Sequence, residues 1–316
     1  MKSNLAIKVN HVSKTYDNGV QALCDFNLEV KEGEVFTLLG ENGAGKSTII
    51  KILTTLMDKT SGNIEIFDCD IKRDVNSIRK QMACVFQYTS MDMFLSLEEN
   101  MLLQSDLYHM PKDEAIKRMK MLVDMFDLNS YCNRPVQTFS GGVKRKLDIA
   151  MTLMSNPKIL FLDEPTVGMD VHSRNALWDM VKKIKKDLGT TIFLTTHYLH
   201  EAESLSDTVC IMNKGKEVIQ GSYEELKELL NTSVIEIKLN QANVSDIVNR
   251  LKQEFGNIEI TIRDKKIMIK NQKERFHSLM KYLIKNNVDL YSIGFVEPSL
   301  EDIFIQVMQG GLKWKL

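Results

Sequence analysis

No run of about 18 apolar residues, the length a spanning helix needs, occurs anywhere in the 316 residues, and the opening MKSNLAIKVNHVSKTY lacks the apolar core of a secretory signal. These absences predict a protein that stays in the cytosol and reaches a membrane only through a partner. Cysteine is sparse. Cys24, Cys69, Cys84, Cys132 and Cys210 are odd in number and scattered, with no CxxC pair and no histidine cluster at metal spacing, so reduced thiols are expected and neither disulfides nor a structural metal is needed. A surplus of positive charge is also missing. Lys and Arg total 41 against 42 Asp and Glu, a net charge of -1 that excludes a broad basic surface, and nucleic acid is not the expected ligand. Only five prolines punctuate the chain, and neither a repeat nor a low-complexity tract appears.

What is present is an ordinary globular composition, 43% hydrophobic and 26% charged, at a length sufficient for two domains. Leu5, Ile7, Val9 and then Phe26, Leu28, Val30 alternate with polar residues, which predicts antiparallel strands with one buried face. Val35–Leu39 is continuously apolar and ends at Gly40, and a helix is predicted over 46–57. Residues 159–162 and 191–196 are short bounded apolar runs of the kind buried on both faces of a parallel sheet. Residues 96–153 carry a helical period, with Ala115, Met119, Leu122, Val123 and Phe126 on one stripe, and read as a helical subdomain inserted between strands. From 232 the order becomes strand 234–239, helix 244–255, strands 258–262 and 267–269, helix 274–285 and strand 288–296, a βαββαβ or ferredoxin-like arrangement. The basic and acidic counts change from 28 and 32 before Thr232 to 13 and 10 after it. A boundary is therefore placed at 231–233, giving domains 1–231 and 232–316.

Gly40-Glu41-Asn42-Gly43-Ala44-Gly45-Lys46-Ser47-Thr48 fits G-x-x-x-x-G-K-S/T between a strand and a helix. Glycines let successive backbone N–H groups turn inward around phosphates, Lys46 reaches the β and γ phosphates, and Ser47 offers a hydroxyl to Mg²⁺. Asp163 and Glu164 close a buried strand at its carboxyl end, where open α/β sheets bind ligands. Asp163 is the expected Mg²⁺ holder and Glu164 the expected general base toward water. Ser140-Gly141-Gly142 precedes a helical run and forms a second potential phosphate site.

With these three motifs in order, residues 4–230 resemble the ATP-binding subunits of ABC transporters. The resemblance implies a P-loop NTPase of α/β class with a mainly parallel sheet, an N-terminal antiparallel β subdomain, a helical subdomain and a small C-terminal α+β domain. It implies ATP and Mg²⁺ as cofactors, Tyr16 as the aromatic stacked on adenine, and Gln87 as a Mg²⁺ and coupling residue. It also implies Ser140 to Gly142 as the signature, Asp170 as the aspartate of the dimer loop, and His197 as the switch histidine. Val143 stands where the family usually has an amide and Phe139 where it has Leu.

The P-loop and the signature lie 95 residues apart and meet different faces of ATP in the resembled family, where two chains sandwich two nucleotides head to tail. A second ATP-binding subunit, identical or different, is therefore an expected partner, together with an integral-membrane permease at the cytoplasmic face of the membrane. The segment 215–222 and the late Glu297-Pro298-Ser299-Leu300-Glu301-Asp302-Ile303-Phe304 look like the drug-resistance (daunorubicin-type) exporter ATPases. The function expected is ATP hydrolysis coupled to export through a separately encoded permease. An importer ATPase shares every catalytic residue. A soluble ABC ATPase acting on ribosomes or DNA is disfavoured by the single ATPase unit and short helical insert, and a small-molecule kinase by the signature and His197.

Overall fold

The computed structural model describes residues 4–86, 91–230, 234–240, 244–256, 258–263, 266–270, 275–296 and 299–308. Alternation over Leu5–Thr15 (β1) and Gln21–Lys31 (β2) gives an antiparallel pair with Ile7 opposite Val30, Val9 opposite Leu28 and Val12 opposite Phe26, all six buried. Next come Val35–Leu39 (β3), Lys46–Leu53 (α1), Ser61–Ile66 (β4), Cys69–Asp70 (β5), Val75–Gln81 (α2) and Met82–Val85 (β6). The first helix is shorter than the expected 46–57. Thr54 turns its hydroxyl back to Ile50 O at 2.8 Å and Thr55 adopts a left-handed φ of 60°, so the two threonines end the helix before Met57.

The helical insert contains Leu97–Leu107 (α3), Lys112–Met125 (α4) and Gly141–Thr152 (α5). The first is opened by a reciprocal cap in which Ser96 Oγ accepts from Glu99 N and Glu99 Oε2 accepts from Ser96 N. The chain then returns to the sheet through Ile159–Asp163 (β7), Val171–Leu188 (α6), Thr191–Thr196 (β8), Leu199–Leu205 (α7), Thr208–Asn213 (β9) and Lys216–Gly221 (β10). The large sheet has the order β10-β9-β3-β8-β7-β6, parallel except for β10, and a four-stranded antiparallel sheet has the order β2-β1-β4-β5.

Strand alternation feeds two separate cores. Phe36, Phe161 and Phe193 face the antiparallel sheet and α1, with ring centroids 5.2 and 5.4 Å apart, whereas Leu160, Leu162, Ile192 and Leu194 face the helical insert. Both faces of β7 and β8 are therefore apolar, which is why these strands read as unbroken hydrophobic runs. Each buried Phe removed from water contributes on the order of 2 kcal/mol, so this layer fixes where the strand ends lie.

The chain divides into two compact units at Tyr223/Glu224, while 231–233, where composition changes, lies outside the described residues. Tyr223–Leu230 (α8) leads into Val234–Leu239 (β11), Val244–Phe255 (α9), Ile260–Arg263 (β12), Lys266–Lys270 (β13), Phe276–Lys285 (α10) and Leu290–Val296 (β14). Their sheet is antiparallel in the order β12-β13-β11-β14, the ferredoxin-like topology, with a core that includes Ile235, Ile237, Leu251, Ile267, Ile269, Leu279 and Leu283. Leu300–Met308 (α11) follows, entered through Ser299, whose Oγ accepts from Asp302 N at 3.2 Å. Among the described residues no helix is long and apolar enough to cross a membrane.

Candidate active site

The P-loop leaves β3 at Gly40 and enters α1 at Gly45. Gly45 has φ +114°, and a Cβ there would lie 2.6 Å from Met212 Cε and 2.7 Å from Ala22 O, so only glycine fits. No side chain caps α1; the Thr48 N–H turns back to Gly45 O at 3.0 Å, which leaves the N–H groups of Lys46 and Ser47 to face an anion. The loop rests on the turn after β9, where Gly215 N donates to Ala44 O at 2.8 Å. An open cleft of about 390 Å³ lies over it, lined by Tyr16, Asn42, Gly43, Gly45, Lys46, Ser47, Thr48 and Glu164 among others. Tyr16 is tethered there by its hydroxyl, 3.0 Å from Thr48 Oγ1.

Lys46 is buried, and its Nζ donates to Gly40 O at 2.8 Å and Glu41 O at 3.2 Å. It also lies 3.4 Å from Glu164 Oε1. The other carboxylate oxygen, Glu164 Oε2, is 3.2 Å from His197 Nδ1, an ion-pair separation without the alignment of a hydrogen bond. Glu164 has a left-handed φ of 45°, and its backbone N–H donates to both Thr195 O and Thr195 Oγ1 at 3.1 Å. Such a conformation in a non-glycine residue costs on the order of 1 kcal/mol or more and persists only where neighbours enforce it. Asp163, at the end of β7, accepts from Thr195 Oγ1 at 2.6 Å. Beside it on β6, burial first, with the Asp163 charge adding to it, pushes the Cys84 thiol up to about 12.

A second cleft is lined by Ser140, Gly141, Gly142, Arg145, Glu164 and Asp170 among others, so Glu164 borders both. Ser140 caps α5 by accepting from Val143 N at 3.4 Å. Gly142 packs so closely on α6 that a Cβ would meet Ser173 Oγ at 2.5 Å. Asp170 caps α6, accepting from Ser173 N at 3.0 Å and from Ser173 Oγ at 2.7 Å, and these bonds hold its carboxyl below the usual range. Gln87 lies outside the described residues.

Two site residues escaped the motif reading. Thr195 is one; the other is Arg145, buried at the base of α5. Its guanidinium donates to Phe86 O at 2.6 Å, Pro165 O at 3.2 Å and Asp148 Oδ2 at 3.2 Å. Desolvation lowers its pKa, with Asp148 acting in opposition. Among the described residues its Nη2 is buried without a hydrogen-bond partner. Thr195 carried the sequence signal of a polar residue in a mostly apolar strand, whereas Arg145, between Lys144 and Lys146, carried none.

A P-loop, a carboxylate pair closing a buried strand of the same parallel sheet, a histidine facing that pair and a serine-glycine helix cap on an inserted helical subdomain define an ATP-binding cassette. The ABC transporter family profile matches residues 23–167, and that of the ATP-binding protein DrrA1-3-like C-terminal domain matches 221–308. The daunorubicin/doxorubicin resistance ATP-binding protein DrrA of Streptomyces peucetius is 34% identical over 307 residues, covering 95% of this chain and 91% of that one. The doxorubicin resistance ATP-binding protein DrrA of Mycobacterium tuberculosis (strain ATCC 25618 / H37Rv) is 40% identical over 235 residues, covering 74% and 71%. Among solved structures, cbiO1 of Clostridium perfringens, part of an ABC transporter complex, aligns with a TM-score of 0.67 at 25% identity, covering 79% of this chain and 96% of that one. The dimeric cassette MJ0796 bound to ADP and Pi aligns at 0.60 and 28%, covering 68% and 98%. The chain belongs to the ATP-binding proteins of the ABC transporter family, of the DrrA type, and is an ATPase.

Proposed function

We propose that this ATPase powers export through a separately encoded integral-membrane permease, which it joins at the cytoplasmic face of the membrane. The observation that carries the catalytic part is the position of Glu164, its two carboxylate oxygens 3.4 Å from Lys46 Nζ and 3.2 Å from His197 Nδ1. The export assignment rests on the drug-resistance relatives and on the matching C-terminal domain.

In this reading Lys46 and the uncapped N–H groups of α1 hold the phosphates, and Tyr16 stacks on the adenine. Glu164 orients the attacking water and takes its proton, while His197 keeps the carboxylate turned toward it. The Ser47 hydroxyl and the Asp163 carboxylate are oxygen donors of the kind that suits a small hard cation, and Thr195 engages Asp163 through Oδ1. Ser47 and Asp163, with Gln87 as the family resemblance implies, would hold Mg²⁺, which would supply neutralisation of phosphate charge. Gly40, Asn42, Gly43, Gly45 and Thr48 shape the cradle.

The signature cleft shares only Glu164 with the P-loop cleft among their lining residues, which supports a head-to-tail dimer in which Ser140, Gly141 and Gly142 hold the γ-phosphate of the nucleotide on a partner subunit and Asp170 lies at the seam. Residues 232–316 form an accessory domain in this reading. Glu164→Gln, which should bind ATP without turning it over, is expected to dimerise on adding ATP, as read by light scattering, and the wild-type chain to co-purify with a permease from solubilised membranes. A chain that stays monomeric with ATP, alone and with its permease, would refute the sandwich.

A further inference from the structure

Thr195 is fully buried in β8, opposite Asp163 in the β7 pairing. Its hydroxyl has one proton and spends it on Asp163 Oδ1 at 2.6 Å, a charge-assisted length. The same oxygen accepts from the Glu164 backbone N–H at 3.1 Å, at the residue whose φ is +45°. Two residues further along the chain is His197, whose ring meets the Glu164 carboxylate. A core threonine that only needed satisfaction would bond within its own strand or helix. This one bridges a side chain and a main-chain amide of successive acidic residues on the neighbouring strand.

We infer that Thr195 is a positioning residue for hydrolysis, fixing the carboxylate of Asp163 and the left-handed turn of Glu164 through one hydroxyl. The inference rests on the roles proposed above for Asp163 and Glu164. Valine at 195 keeps the volume and the β-branch but leaves Oδ1 without its donor and the Glu164 amide with the Thr195 carbonyl alone. The Asp163 carboxylate is then free to rotate, and the Glu164 carboxylate loses its fixed direction. Groups that orient a metal-side ligand in this way typically cost roughly ten- to a hundredfold when removed.

The test compares wild type, Thr195→Val, Thr195→Ser and Glu164→Gln, each checked for folding by thermal melting, in the permease complex if the isolated chain is slow. Thr195→Val is expected to lower kcat by roughly ten- to a hundredfold with KM for ATP within about threefold, and Thr195→Ser to recover most of the loss. A second readout needs no turnover: binding of a non-hydrolysable ATP analogue titrated with Mg²⁺, in which Thr195→Val requires several-fold more Mg²⁺ for half-saturation. Wild-type kcat and Mg²⁺ dependence in Thr195→Val, with Glu164→Gln inactive, would overturn the inference and leave the site assignment standing. An active Glu164→Gln would overturn the site assignment itself. If the valine variant fails to fold, Thr195→Ala takes its place, and the inference is lost if Thr195→Ala hydrolyses ATP as well as Thr195→Ser does.

Discussion

Lys46 Nζ and Glu164 Oε1 lie 3.4 Å apart beyond the carboxyl ends of β3 and β7, two parallel strands with β8 between them, and both are largely withdrawn from solvent. A buried cation and a buried carboxylate at this distance attract each other strongly, so without nucleotide the site neutralises itself. In the proposed binding mode ATP would separate the pair and bring its own γ-phosphate against the carboxylate. Glu164→Gln removes both penalties. It is expected to bind ATP roughly three- to tenfold more tightly than wild type while losing turnover, about 1 kcal/mol by the usual conversion. Equilibrium titration with a fluorescent nucleotide checks this, and equal or weaker binding would contradict the competition described.

Glu217 on β10 is half-buried near Glu29 on β2, and burial first, the neighbouring charge second, raises its pKa from the usual 4.5 to about 7. The folded chain therefore holds this proton more tightly than the unfolded chain. The stability this adds is complete below the unfolded value and disappears as pH rises through about 7. Glu217→Gln keeps the size and cannot ionise. It should raise the melting temperature by roughly 2–4 °C at pH 8, after allowing for partial solvent screening, and by much less at pH 5. A shift of the same size at both pH values would show that charge is not the cause.

Phe94 is 80% exposed, whereas Met91 beside it is buried at 8%. The turn is held by Asn100, which accepts from Asp92 N at 2.8 Å and donates to Asp92 O at 2.9 Å, so the aromatic is displayed by a braced loop. Phe94→Asp is expected to leave folding and ATP binding of the isolated subunit within about 0.5 kcal/mol of wild type. Permease co-purification should fall. An unfolded variant would make Phe94 a packing residue, and normal export would place the permease contact elsewhere.

The P-loop, the Asp163-Glu164 pair and the signature were legible because each is a contiguous run whose residue types are dictated by local backbone geometry. The two-faced apolar strands β7 and β8 were legible for a related reason, since both cores impose the same residue type. Arg145 and Thr195 were not, because their partners lie 59, 20 and 31 residues away and only the strand order brings them together. The end of α1 was misread for a local reason. The helical stripe continues to Met57, but the hydroxyl of Thr54 competes for a helix carbonyl. Short edges such as β5 carry too few residues to show a period at all.

The guanidinium of Arg145 makes the start of α5 a crank rather than a loose arm. A slip of about 1 Å along its axis would take the 2.6 Å bond to Phe86 O beyond hydrogen-bond reach and strand a charge where water cannot follow. Shifting the start of α5 would thus strain the Phe86 carbonyl and the Pro165 carbonyl, which follows Glu164 by one residue, together. One side chain therefore ties this helix to two separate stretches of main chain, and neither can be moved without the other being felt.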